Sequence, residues 1–303
     1  MHFSTRSWYV IAALAPVLLA LVTIASKGAL NHISSDWFLF LMFSLTLPFL
    51  APWRASTREF FVPRAAWKDF LGHTLCIGLA WLLYTTGVAL LPAAVAVFVS
   101  RTEGIFIILL AVLFLREKFG LVLAVAAVLS FVGLALIDRG ELSAGDLGSS
   151  RHGIIYVIGG ALSFAAGEIF AVRALRFIAP RPLTLLRNAV LATGFLVYSL
   201  SRGASPTLSD LTAALPWALC AAVAGPVLAR VIHLHCIRFI PVSHAAIMSN
   251  TEPVFGVLLG LLVFTELPTF IQHAGALLIC GGVALGLIRQ PVRSECPGSC
   301  GPD

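Results

Sequence analysis

Six ionisable side chains stand out inside the long apolar runs of this sequence: the carboxylates Glu103, Glu168 and Glu252, and the cations Lys27, Arg101 and Arg230. A charge at the centre of a lipid bilayer costs about 2.5–3.5 kcal/mol on insertion scales, so each is expected to face a cavity or a partner. A carboxylate so placed can carry a coupling proton between two sides of a membrane. It can also serve as scaffold, accepting hydrogen bonds from a neighbouring helix end. Each cation can hold a substrate carboxylate or pair within the fold, with Glu168 a candidate partner for Arg230. Lys27, near the end of its run, can instead reach the interface on its flexible stem. Three cations against three carboxylates suit a zwitterion or a small anion better than a lipophilic cation.

Other side chains narrow the chemistry. Trp81 and Tyr84 are three residues apart and Trp81 and Thr85 four apart, so on a helix they share a face. That face is either an aromatic wall with a hydroxyl, suited to an amphipathic organic solute, or ordinary helix packing. His233 and His235 are two apart, hence on different faces, and His244 is remote from both. With no Glu-x-x-His or His-x-x-x-His spacing, no metal site is expected. His235 is read as a packing residue or a proton relay. Cys76, Cys220, Cys236 and Cys280 fall in apolar runs as small buried hydrophobes, while Cys296 and Cys300 alone are too few ligands for a metal. Ser100 has no evident base, and the apolar runs hold no aspartate pair, so intramembrane hydrolysis lacks its machinery and no catalytic residue is assigned. A Walker-type phosphate loop is missing too, which argues against ATP-driven pumping, and no cofactor is expected.

The elements that must position these groups follow from composition. Of 303 residues, 59% are hydrophobic and 11% charged, with a mean hydropathy of +0.97. A soluble domain carries about a quarter charged residues, so the expected fold class is an all-α polytopic membrane protein. Apolar runs bounded by charges, Pro or Gly lie at 8–30, 36–52, 69–90, 93–115, 119–137, 152–173, 183–201, 211–238, 242–265 and 268–288. They predict ten transmembrane helices. The first run follows Arg6 and lacks a clear small-x-small cleavage site, so it is read as a retained span. Fourteen Lys and Arg residues, Arg187 among them, then fall on the side of the N-terminus, against Arg139, Arg151 and Arg202 on the other. The positive-inside rule makes both termini cytoplasmic. The net charge of +6 thus reflects orientation, and no basic stripe suggests nucleic acid.

The chain also repeats itself at an offset of 149 residues. Pro92 matches Pro241, Ser100 matches Ser249, Thr102-Glu103 matches Thr251-Glu252, Phe106 matches Phe255, Glu117 matches Glu266, and Gly133 matches Gly282. Matched Leu and Ala would mean little in apolar runs; matched Glu, Pro, Thr and Gly mean much more. Five spans per copy is an odd number, so the second copy enters the membrane from the opposite side. The expected organisation is two inverted five-helix repeats, 1–137 and 152–288, joined by an external linker 138–151 and followed by a disordered cytoplasmic tail 289–303. Inverted repeats place a site at their interface near the midplane. Glu103 and Glu252, each eleventh in its run, reach about 15 Å along their helices at 1.5 Å per residue, half of a 30 Å core. Arg101 has the neutral Asn250 as its counterpart, an asymmetry outside the shared scaffold.

Ser100–Glu117 and Asn250–Glu266, each followed by a Gly-bearing span, resemble the fourth and fifth helices of the drug/metabolite transporter superfamily, in particular its EamA-type branch. Glu252-Pro253-Val254-Phe255, Gly275-Ala276 and Gly281-Gly282-Val283 carry the resemblance most strongly. Gly104 stands where the family has a proline, the first span lacks the family's Trp-Gly pair, and Lys27 occupies a position where a lysine is common. The resemblance implies a ten-helix secondary transporter, often an exporter of amino acids or related metabolites, in the inner (plasma) membrane of a bacterium. Its partners would be a small-molecule substrate, the lipid bilayer and a proton as coupling ion, working as a monomer or homodimer. The candidate substrate-binding residues are Lys27, Trp81, Tyr84, Arg101, Glu103, Glu168, Arg230, His235, Asn250 and Glu252, with Glu103 and Glu252 for proton coupling. The alternatives are a multidrug or quaternary-amine carrier, a nucleotide-sugar carrier, and a non-transporting receptor or scaffold.

Overall fold

The computed structural model describes residues 5–51, 61–90, 99–117, 120–138, 151–203, 205–255, 258 and 270–288. The side chain of Lys27, the residues Pro92, Glu266, Cys296 and Cys300, the body of the expected linker and the whole expected tail lie outside that set. Among the described residues all regular structure is helical. In chain order it comprises α1 (Thr5–Ala12), α2 (Leu14–Leu30), α3 (Ser35–Leu50), α4 (Trp67–Leu90), α5 (Thr102–Leu115), α6 (Leu121–Asp138), α7 (Arg151–Ala174) and α8 (Pro180–Ser201). Then come α9 (Leu208–Ala222), a π-helical stretch Val223–Ala229, α10 (Arg230–Cys236), α11 (Val242–Ser249) and α12 (Phe270–Ile288). Among the described residues five continuous stretches are long and apolar enough to cross a bilayer: Ser7–Leu30, Arg64–Gly87, Arg151–Ala174, Pro180–Ser201 and Leu208–Cys236. The molecule is a multi-pass membrane protein.

Several expected spans are interrupted, each for a local reason. Pro16 has no N–H to offer the carbonyl of Ala12, and α1 gives way to α2 at Ala13. Pro226 does the same inside 208–236, where the helix widens into the π-turn instead of stopping. The run expected at 93–115 turns at Arg101, and that expected at 242–265 turns at Asn250–Thr251. At these turns Thr102 donates its hydroxyl to the Val99 carbonyl at 2.7 Å, and Thr251 donates to the Met248 carbonyl at 2.8 Å. The backbone there closes in the tighter three-residue pattern, Gly104 N–H to Arg101 O and Thr251 N–H to Met248 O. The two breaks are 149 residues apart, like the sequence repeat itself.

Packing has a two-fold logic. The third helix of the first half, α4, packs on the first of the second half, α7; correspondingly α9 packs on α2. Helices equivalent by position in each half pair with one another, α3 with α8 and α6 with α12, and α5, which follows the first break, packs on α11, which precedes the second. On α6 and α12 the contacts are reciprocal. A Cβ on Gly133 would fall 2.5 Å from Gly275 O and 2.9 Å from Ile279 N, while one on Gly282 would fall 2.7 Å from Ala126 O and 3.0 Å from Ser130 N. These partners differ by the same 149 residues, and the register falls on one helix as it rises on the other. Small residues allow this approach, the usual device for holding helices together in lipid. The α3–α8 pair is antiparallel as well, with Arg181 reaching Leu50 O, Asn188 reaching Thr46, and Phe195 stacked on Phe43. Antiparallel equivalents are what inverted copies require.

One clasp closes an end of the α5–α11 pair. After α5, Arg116 adopts a left-handed conformation, φ 54°, that ends the helix and turns Glu117 across the repeat boundary. Its carboxylate accepts hydrogen bonds from Val242 N at 2.9 Å, Ser243 N at 3.2 Å and Ser243 Oγ at 2.6 Å. An anion thereby caps the N-terminus of α11, where backbone N–H groups lack intrahelical partners.

Candidate functional site

Between the halves lies a cavity of about 340 Å³, at the lower end of the roughly 300–1,000 Å³ that ligand pockets occupy. Its wall is drawn from α2, α3, α4, α5, α7, α8, the π-turn, α10 and the α11 segment. The two helix breaks put Arg101 and Glu252 on this wall from opposite repeats. Arg101 Nη1 donates to Glu252 Oε2 at 3.1 Å and Nη2 to Glu252 Oε1 at 3.2 Å, a bidentate pair. Thr23 from α2 adds its hydroxyl to Oε1 at 3.4 Å.

A second couple forms deeper along α7. Glu168 accepts from Arg230 Nη1 through Oε1 and contacts His233 Nε2 through Oε2 at 3.2 Å. Arg230 follows the π-turn directly and His233 lies three residues on, the spacing that puts both on one helix face. The wide turn forced by Pro226 thus sets where this pair of donors meets the carboxylate. His233 was not among the residues singled out from sequence for the site. The signal was present, in its i+3 relation to Arg230, but only the contact with Glu168 gives it meaning.

Two ionisable groups on the wall stand outside these couples. Glu103, in the first turn of α5, makes no hydrogen bond and no ion pair among the described residues. Arg187 overturns its sequence assignment. Counted above with the cytoplasmic cations, it lies about two turns inside α8, 3% exposed, on the cavity wall. Pro180 and Pro182 start the helix upstream of the apolar run, as proline does in a first turn, and so carry Arg187 inward. Its removal from the loop count leaves the direction of the charge bias unchanged. Arg187 donates through Nε at 3.0 Å and Nη2 at 2.7 Å to the neutral Oδ1 of Asn188. Asn188 Nδ2 donates in turn to Thr46 Oγ1 at 2.9 Å, and the Thr46 hydroxyl donates to Phe43 O at 2.6 Å.

The aromatic wall is real in geometry. Trp81 meets Tyr84 edge to face at 6.1 Å between centroids, with Phe164 at 5.5 Å and Phe43 at 6.3 Å from Trp81. Thr85 turns its hydroxyl back to the carbonyl of Trp81 at 2.8 Å, within its own helix. Asn250 lines the cavity with its Nδ2 buried and unpartnered among the described residues. Of the candidates from sequence, Trp81, Tyr84, Arg101, Glu103, Glu168, Arg230, Asn250 and Glu252 therefore share one chamber. His235 does not line it and bonds the Val231 carbonyl of its own helix at 3.1 Å. Lys27 has its backbone in α2, with the side chain outside the described set.

Comparison with known proteins fits this architecture. The model of the EamA-like transporter family matches residues 6–138 and again 151–288. No curated relative matches the sequence. Among solved structures 29 chains match. One of them, titled only "Crystal structure of protein", is 17% identical, with 94% of this chain covering 98% of that one at a TM-score of 0.76. At that identity the likeness is one of fold alone.

Proposed function

The chain belongs to the EamA-like transporter family, and on that premise we propose that it is a secondary transporter of small organic metabolites working by alternating access. The preferred cargo is an amino acid or a related zwitterion or anion, carried outward across the inner membrane. In this reading ten helices form the two inverted repeats, both termini are cytoplasmic, and 138–151 is an external linker. The supporting observation is the chamber itself: it lies between the repeats and its arginines and glutamates among the described residues are equal in number, with Arg101–Glu252 and Arg230–Glu168 mutually neutralised. Rocking one repeat against the other would open such a chamber to each side in turn.

Glu103 is the proposed carrier of the coupling proton, because Glu252 is already engaged by Arg101 and Thr23. Saturable uptake of solute into sealed proteoliposomes tests the transport reading; a receptor or scaffold shows none. In the same vesicles Glu103→Gln should abolish flux driven by a pH gradient while solute exchange persists. Unchanged pH dependence would remove the proton role from Glu103. A quaternary-amine carrier is the second reading, favoured by the unpaired Glu103 in a chamber walled by Trp81 and Tyr84, where a cation can meet both a carboxylate and ring faces.

A further inference from the structure

We propose that Arg187 selects the cargo, its guanidinium taking the carboxylate of the solute carried in the chamber. This deepens the transport reading and rests on it. Charge is the first argument. The chamber wall holds three arginines, and two of them are matched by Glu252 and Glu168. Arg187 and Glu103 remain, yet they form no ion pair with one another. The only hydrogen-bond acceptor on the Arg187 guanidinium among the described residues is a neutral amide oxygen, and an amide does not neutralise a buried cation. Arg187, 3% exposed, has Glu168 within electrostatic range, but that carboxylate is already held by Arg230 and His233; a buried cation so weakly compensated is unfavourable, and a bound anion relieves it.

Mounting is the second argument. Of the five N–H donors of a guanidinium, Asn188 holds Nε and Nη2, and Asn188 is itself fixed through Thr46 to the backbone of α3. Nη1 has no partner among the described residues. The group is therefore held in place with donors in reserve, on a chamber wall that Phe43 also lines. A buried donor on Asn250 Nδ2, likewise unpartnered, lies on the same wall. Arg181, six residues earlier on the same helix, shows what a strut looks like here. It crosses directly to α3, with Nε on Leu50 O at 3.0 Å and Nη2 on Ala51 O at 2.7 Å. Arg187 makes no such crossing and faces the cavity instead. Asn188 is then a positioning residue, acting through Arg187.

The test uses full-length protein in proteoliposomes and a panel of the twenty protein amino acids with their carboxamides, several quaternary amines and UDP-glucose. For the amino acid taken up best, wild type should prefer acid over carboxamide by about tenfold or more, the scale of a charged hydrogen bond. Arg187→Gln should collapse that ratio to within about twofold by losing the acid and keeping the amide, while Arg181→Gln leaves the ratio intact. Equal loss of acid and amide, or an unchanged ratio, overturns the proposal. Should Arg187→Gln not fold, Arg187→Lys carries the test: it keeps the charge and loses the planar fork, so the ratio should fall part way, and an unchanged ratio overturns the proposal. Saturable flux of quaternary amines alone, indifferent to Arg187, overturns the proposal and leaves the transport reading standing. Absence of saturable flux for every solute overturns both.

Discussion

The turn at Arg101–Thr102 in the first repeat and the turn at Asn250–Thr251 in the second share a threonine that bonds back to the carbonyl three residues earlier, and each delivers a glutamate into the chamber. They differ in the residue before the threonine and in the fate of the glutamate. The first break supplies Arg101 and leaves Glu103 without an ion pair among the described residues; the second supplies Asn250 and surrenders Glu252 to Arg101. Duplication thus provides the same bend twice, and one departure from symmetry makes a chemical site of it. A single arginine joins the two repeats through one of the two glutamates.

The comparison can be broken at its strongest point with Glu252→Gln. That change leaves the Arg101 guanidinium without its carboxylate at a largely buried position, and removal of one partner of a buried pair costs about 3–5 kcal/mol. A large fall in the thermal unfolding midpoint in detergent is expected; a fall no greater than that of Glu103→Gln would contradict the asymmetry. Next come the paired glycines. Gly133→Ala and Gly282→Ala each drive a methyl into the backbone of the opposite helix, an overpacking of about 1–3 kcal/mol. The two losses should match, and a marked inequality would weaken the two-fold description of α6 and α12. Glu117→Gln is smaller. The amide still accepts some of the three bonds but loses its charge at the N-terminus of α11, so roughly 0.5–2 kcal/mol is expected. Smallest of all in stability is Glu103→Gln, which neutralises an unpaired carboxylate. Its unfolding midpoint should stay level or rise even as pH-driven flux is lost, a combination that structural scaffolding would not produce.

Much of this was legible beforehand. The offset of 149 residues pairs both glutamates and the reciprocal glycines without any knowledge of contacts, whereas the two helix breaks fall inside runs that read as continuous. Glu168 could be named as a candidate partner of Arg230, and Trp81 and Tyr84 as a shared face. Arg187, fifth residue of the run at 183–201, counts with the loop cations only while the helix is taken to begin at Leu183, and the two prolines that start it earlier carry the residue about two turns in. His233 was passed over because a histidine two residues from another gives no ligand face, and its link to Glu168 spans 65 residues. His235, selected from sequence, faces elsewhere.

What the sequence by itself determined is residence in the membrane, the duplication and most of the charge that lies within the spans. Hydropathy sums locally along the chain, and a repeated residue is visible at any distance. What only the tertiary structure decided is which charges neutralise one another and which remain for a solute. Spans that are apolar all round carry no pattern that fixes their rotation, so the facing side chains are chosen by helix packing. Here that packing comes from glycines, prolines and turns acting together across both repeats, and among the described residues it leaves Glu103 and Arg187 without an ion pair on the wall of one chamber.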